Sequence, residues 1–173
     1  MSFSDELLKH AVRLLRVSMK TEATAAEVVD MRRGVSAAYY SLFHLLGEAV
    51  VEQIAPAADI ATKNRIRRWL NHSEMKRICQ QFAAPQSKPP LRELLNQPIS
   101  RDMQILAVNF IRLQEARHSE DYDLSFEIEW DDALDFVNLA IEAKKAWERI
   151  ENTAEGNIFV LSLLLWKQWE KER

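Results

Sequence analysis

Helix breakers are scarce in this chain. Only three glycines occur in 173 residues, and four of the five prolines fall between Pro85 and Pro98. Long stretches therefore run uninterrupted, and β-branched alternation is missing outside residues 124–130, which argues against a sheet-based architecture. The single cysteine, Cys79, excludes an internal disulfide and a cysteine-rich zinc site. A lone thiol suits the cytosol. Long apolar runs are missing too: residues 158–166 make the most apolar stretch, about half of what a bilayer span needs. The N-terminus turns acidic at Asp5 and Glu6 and carries no secretory signal. The expectation is a cytoplasmic protein with no membrane contact. An excess of positive charge is also lacking, since the net charge is −3. Any nucleic acid would have to meet a local patch such as Lys63, Arg65, Arg67 and Arg68, which reads first as a solvated helix face.

What is present is a globular balance, 47% hydrophobic against 28% charged, long enough to bury one core without staples. The fold class expected is all-α, one domain over residues 1–173, with its core at about 4–152. Apolar periodicity predicts a first helix over 4–20 with Ser4 as cap, and a second over 21–54 capped by Thr21. A third spans 59–82. Residues 84–97 form a loop with one helical turn at 91–95. A fourth helix starts at Ile99 or Ser100 and reaches Ser119, before an extended connector over 122–126. A fifth covers 131–152, and Gly156 separates it from an additional C-terminal helix over about 156–171. That last helix is apolar nearly all round, so it either caps the bundle in the same chain or packs on a second subunit.

Two stripes are interrupted by polar residues. On the fourth helix Met103, Leu106, Ala107 and Phe110 line up, and at about 100° per residue Arg117 and Asp121 continue within roughly 20° of the same direction. A core-facing stripe that ends in charge must pair those charges or place them in a cleft. They can pair with each other across one turn. On the second helix Val28, Val35, Tyr39, Phe43, Leu46 and Val50 make the stripe, with Arg32 nearly along its centre. Arg33, Ser36, Tyr40 and His44 follow one flank, within roughly 80° of one another. Such a row can serve phosphate or a base, can bond Arg117 and Asp121 across the bundle, or can be the edge of a core. His72 reads as a surface or capping residue, or as a further member of that cluster. The Glu115-x-x-His118 spacing resembles half of a di-iron motif, but no second half occurs, so neither metal nor other cofactor is expected.

The residues Ser36-x-x-Tyr39-Tyr40-x-x-Phe43-His44, the later Arg117-x-x-x-Asp121-Tyr122, and between them Asn71-His72-Ser73 with Cys79 and Phe82, carry a resemblance to a bacterial branch of the HEPN family. The resemblance covers about residues 7–139 and leaves the final helix without a counterpart. It implies an up-and-down helical bundle, a homodimer, and a nucleotidyltransferase partner in a toxin–antitoxin-type pair. It implies that Tyr122 is where such a partner would modify the domain. It further implies a metal-independent endoribonuclease whose motif is an Arg, four to six residues, then a His, in a cleft between subunits. Arg112 and His118 have that spacing. There the histidine would move a proton at the ribose 2′-oxygen or the leaving oxygen, and the arginine would stabilise the phosphate. On a regular helix, however, Arg112 and His118 diverge by about 120°, while Arg117 is better placed and lies about 100° from His118. The candidate catalytic residues are therefore Arg117, His118 and Arg112, on RNA or a nucleotide. The alternative is a non-catalytic dimeric module that binds a nucleotide or a protein.

Overall fold

Most of the helices begin where a short polar side chain takes up a backbone N–H left over in the first turn. The computed structural model describes residues 2–17, 24–84, 91–122 and 128–171, with the side chains of residues 17 and 120–122 outside the description. Among the described residues there are eight helices and no strand: α1 (Phe3–Val17), α2 (Ala25–Ile54), α3 (Ile60–Arg67), α4 (His72–Ala83), α5 (Leu91–Leu94), α6 (Arg101–Tyr122), α7 (Trp130–Ile150) and α8 (Ala154–Lys171). The protein is an all-α bundle.

Caps explain where the boundaries differ from expectation. Ser2, not Ser4, opens α1: the Asp5 amide donates to Ser2 Oγ at 3.2 Å and the Ser2 amide donates to Asp5 Oδ2 at 3.0 Å. Ser4 lies inside the helix, buried. Thr24, not Thr21, opens α2, because Glu27 stands three residues on and completes a reciprocal box with it. The single third helix becomes two. Asn71 is extended at φ −121° and ψ 131°, and its Oδ1 accepts from the Ser73 and Glu74 amides, so the chain breaks and restarts as α4. Gly156 is not a separator either; it lies in the first turn of α8, and Thr153 Oγ1 accepts its amide at 3.1 Å. Of the extended connector, Tyr122 belongs to α6 and residues 123–127 fall outside the described residues.

Packing centres on α2, which touches α1, α6, α7, α3 and α8, while α4 and α7 lie on α6. The α6 stripe is buried as patterned at Met103, Leu106, Ala107 and Phe110, and continues through Leu113 and Ala116. The C-terminal helix closes on its own chain: the Phe159 ring lies 5.0 Å from Phe82 and 6.2 Å from Trp147. Polar ties cross between helices at the surface. Lys144 of α7 donates to Asp5 Oδ1 at 2.6 Å, and that hydrogen bond, first among several, holds the Asp5 carboxyl down at about 2. Arg149 grips Asp102 through two parallel bonds of 3.0 and 2.6 Å. Ser100 caps α6 and is itself bound, through N–H and Oγ, by the Glu155 carboxylate of α8. No helix among the described residues is long and apolar enough to cross a membrane.

Candidate functional site

Tyr39 belongs to the core stripe of α2 and is 0% exposed, yet its hydroxyl needs a partner in that setting. The partner is His72, the first residue of α4, with Nδ1 at 2.5 Å from the phenolic oxygen. The α3–α4 break is what delivers the imidazole there. Its ring lies on Phe43, centroids 4.2 Å apart and planes 31° from parallel. Tyr40, the next residue of α2, turns instead toward α6. Arg117 Nη2 donates to its hydroxyl at 2.9 Å, and the guanidinium carbon stands 5.4 Å from its ring centroid. His44, one turn further on, meets Tyr40, Phe43 and the edge of Phe3 at 6.3, 5.6 and 5.0 Å. Three helices thus bring two phenols, two imidazoles and a guanidinium together, with Tyr39 wholly buried and the other four half-buried in a shallow recess.

The electrostatics follow from burial first and from the nearby arginine charges second. Burial, then the Arg117 charge, then His44, depress the pKa of His72. Burial and the Arg67 charge depress that of His44. Burial raises that of Tyr39, against a smaller opposing pull from Arg117. Tyr39 therefore keeps its proton and His72 is neutral at neutral pH. The phenol donates to Nδ1, its one acceptor among the described residues, which leaves the ring proton on Nε2. Arg117 supplies positive charge and N–H donors, and the imidazoles supply groups that accept or relay a proton.

These histidines make stability sensitive to mild acid. Their folded pKa values lie below the ordinary 6.5, so the unfolded chain takes up protons first as pH falls. Stability is therefore full above about 6.5 and declines as pH drops below it, well before Asp5 titrates. Urea midpoints measured from pH 7.5 down to 5 should fall, and a His44→Gln/His72→Gln variant should lose most of that slope. Wild-type midpoints that stay level across this range would contradict the depressed values.

The structure gathers some of the expected residues and leaves others apart. Arg117, Tyr40, His44 and His72 meet in the recess. Ser36 is half-buried one turn before Tyr40, and Arg32 is half-buried too. Arg33 is exposed two turns before Tyr40 and makes no contact with the cluster among the described residues. Arg112 and His118 are both exposed on α6, and the helix runs unbroken past them, so within one chain they do not form a pair. The side chains of Asp121 and Tyr122 lie outside the described residues. Sequence reasoning missed three contributors. The apolar pattern places Tyr39 in the stripe and gives it no site role, although a tyrosine mid-stripe signals a buried hydroxyl in search of a partner. Phe3, ahead of any periodicity, left no signal, and Arg67 read only as patch. Set against protein-family models, curated proteins and solved structures, the chain matches none of them.

Proposed function

We propose that the protein is a HEPN-like binding module, the HEPN-side partner of a nucleotidyltransferase in a toxin–antitoxin-type pair. It acts as a cytoplasmic homodimer that holds a nucleotide phosphate at Arg117. The observation that carries this reading is the contrast on α6: Arg117 is drawn in to Tyr40 beside neutral imidazoles, whereas Arg112 and His118 stand exposed and about 120° apart. A guanidinium oriented by a phenol is preorganised for a phosphate, and neutral histidines beside it add no further cation to repel the arginine. Titrating full-length protein with ATP should raise its melting temperature by mass action, and Arg117→Gln should remove that rise.

The endoribonuclease reading survives in one form, because exposure leaves Arg112 and His118 accessible to a second subunit. Incubation with RNA in chelator decides between the two. The binding module leaves the RNA intact. Fragments ending in 2′,3′-cyclic phosphate, abolished by His118→Ala, would establish the nuclease instead.

A further inference from the structure

Residues 60–73 carry four cations, Lys63, Arg65, Arg67 and Arg68, and no carboxylate, in a chain whose net charge is −3. The fold divides these four between two sides of α3. Ile66 and Leu70 are buried and anchor the segment to α2, where Leu70 Cδ1 would stand 3.3 Å from a Cβ at Gly47. On that inner side Lys63 reaches Glu52 at 3.1 Å, and Arg67 bonds Asn64 while its charge bears on His44 and Glu48. Arg65 and Arg68 face outward, exposed, and no ion pair holds either among the described residues. Trp69 follows them at 66% exposure. Arg68 and Trp69 form the turn that ends α3, and with the helical net continued through that turn Arg65, Arg68 and Trp69 fall within about 100° of arc, with the exposed Ala61 between them adding no bulk.

We propose that this outer face of α3 binds single-stranded RNA, with phosphates on Arg65 and Arg68 and an unpaired base stacked on the Trp69 indole. The surface is distinct from the Arg117 recess and goes beyond the function proposed above. Guanidinium forks match phosphate oxygens, and a solvated indole offers a flat π-face to any base. A duplex hides its base faces, so the ring selects for single strands. An anionic bilayer is a poorer fit. The other protruding apolar side chain, Ile60, lies roughly 180° from Trp69, so the two apolar side chains point to opposite sides and cannot enter a bilayer together.

Fluorescence anisotropy with a short labelled single-stranded RNA of mixed sequence tests the assignment on the full chain. Trp69→Ala should weaken binding about 10-fold while Trp69→Phe largely retains it. Arg65→Gln/Arg68→Gln should lower the slope of log affinity against log salt by about 1.4, two phosphates' worth for a single strand. All three positions are exposed, so melting temperatures should hold. The ATP-dependent stabilisation assigned to the recess is read in parallel: lost RNA affinity with that stabilisation intact supports the α3 surface. Unchanged RNA affinity in both the Trp69→Ala and the double-arginine variants overturns it, whatever the recess does. So does tighter binding to duplex RNA or to phosphatidylserine vesicles.

Discussion

Gly156→Ala should lower stability by about 2–3 kcal/mol, even though alanine is the better helix former by about 1 kcal/mol. A Cβ at this position would lie 2.2 Å from the Ile150 carbonyl oxygen and 3.0 Å from its carbon. Both obstacles are backbone, at the corner where α7 ends and α8 begins, so no side-chain rotation relieves them. The corner would have to open, and with it the hydrogen bonds of Thr153 to Ile150 and Gly156. For a domain of this size the melting temperature should fall by about 5–12 °C. Gly47→Ala is the matched contrast. Its Cβ would meet only the end of the Leu70 side chain, at 3.3 Å, so the gain in helix propensity roughly offsets a small shift. Equal losses in the two variants would mean that backbone crowding at the α7–α8 corner is not what sets the effect.

Phe110→Ala should be costlier, about 3–5 kcal/mol. The ring is wholly buried in the α6 stripe, and its loss leaves a cavity that rigid neighbours on α2 fill poorly. One of those neighbours is Tyr39, whose ring Phe110 meets near edge-on at 5.7 Å. The same substitution should therefore reach the recess. With Tyr39 free to tilt into the gap, its bond to His72 loosens and water enters, so the imidazole should titrate nearer the ordinary 6.5. Thermal melts give the first quantity, and NMR titration of the His72 ring gives the second. A large stability loss with an unmoved His72 titration would separate core from recess and show that Phe110 supports only the former.

Much of the fold was legible because it rests on periodicity, which one sequence displays. The α6 stripe from Met103 to Phe110 and the long uninterrupted α2 are burial patterns at 3.6-residue spacing, and the structure buries them. Helix starts were less legible, since several polar residues compete for each. Thr21 and Thr24 differ only in what stands three residues on, and Asn71 reads as one more polar position until its side chain turns back on Ser73. The recess was visible in part: Arg117 betrayed itself as a charge in an apolar row. Periodicity alone leaves His72 between a surface or capping position and a place in the cluster, because what decides it is the chain break at Asn71, far along the chain from its partner Tyr39. The separation of Arg112 from His118 was readable from helix geometry alone, provided α6 ran on past both, as it does.

The clasp between Ser100 and Glu155 gives the C-terminal helix a reach beyond its own contacts. It pins one end of α6, a rod of 22 residues, and Arg117 rides near the other. At about 1.5 Å per residue the guanidinium sits ~25 Å from that pivot, so a tilt of ~3° there would swing it by more than ~1 Å. The packing of α2, α4 and α7 along the rod is what resists such a tilt and keeps the arginine against Tyr40.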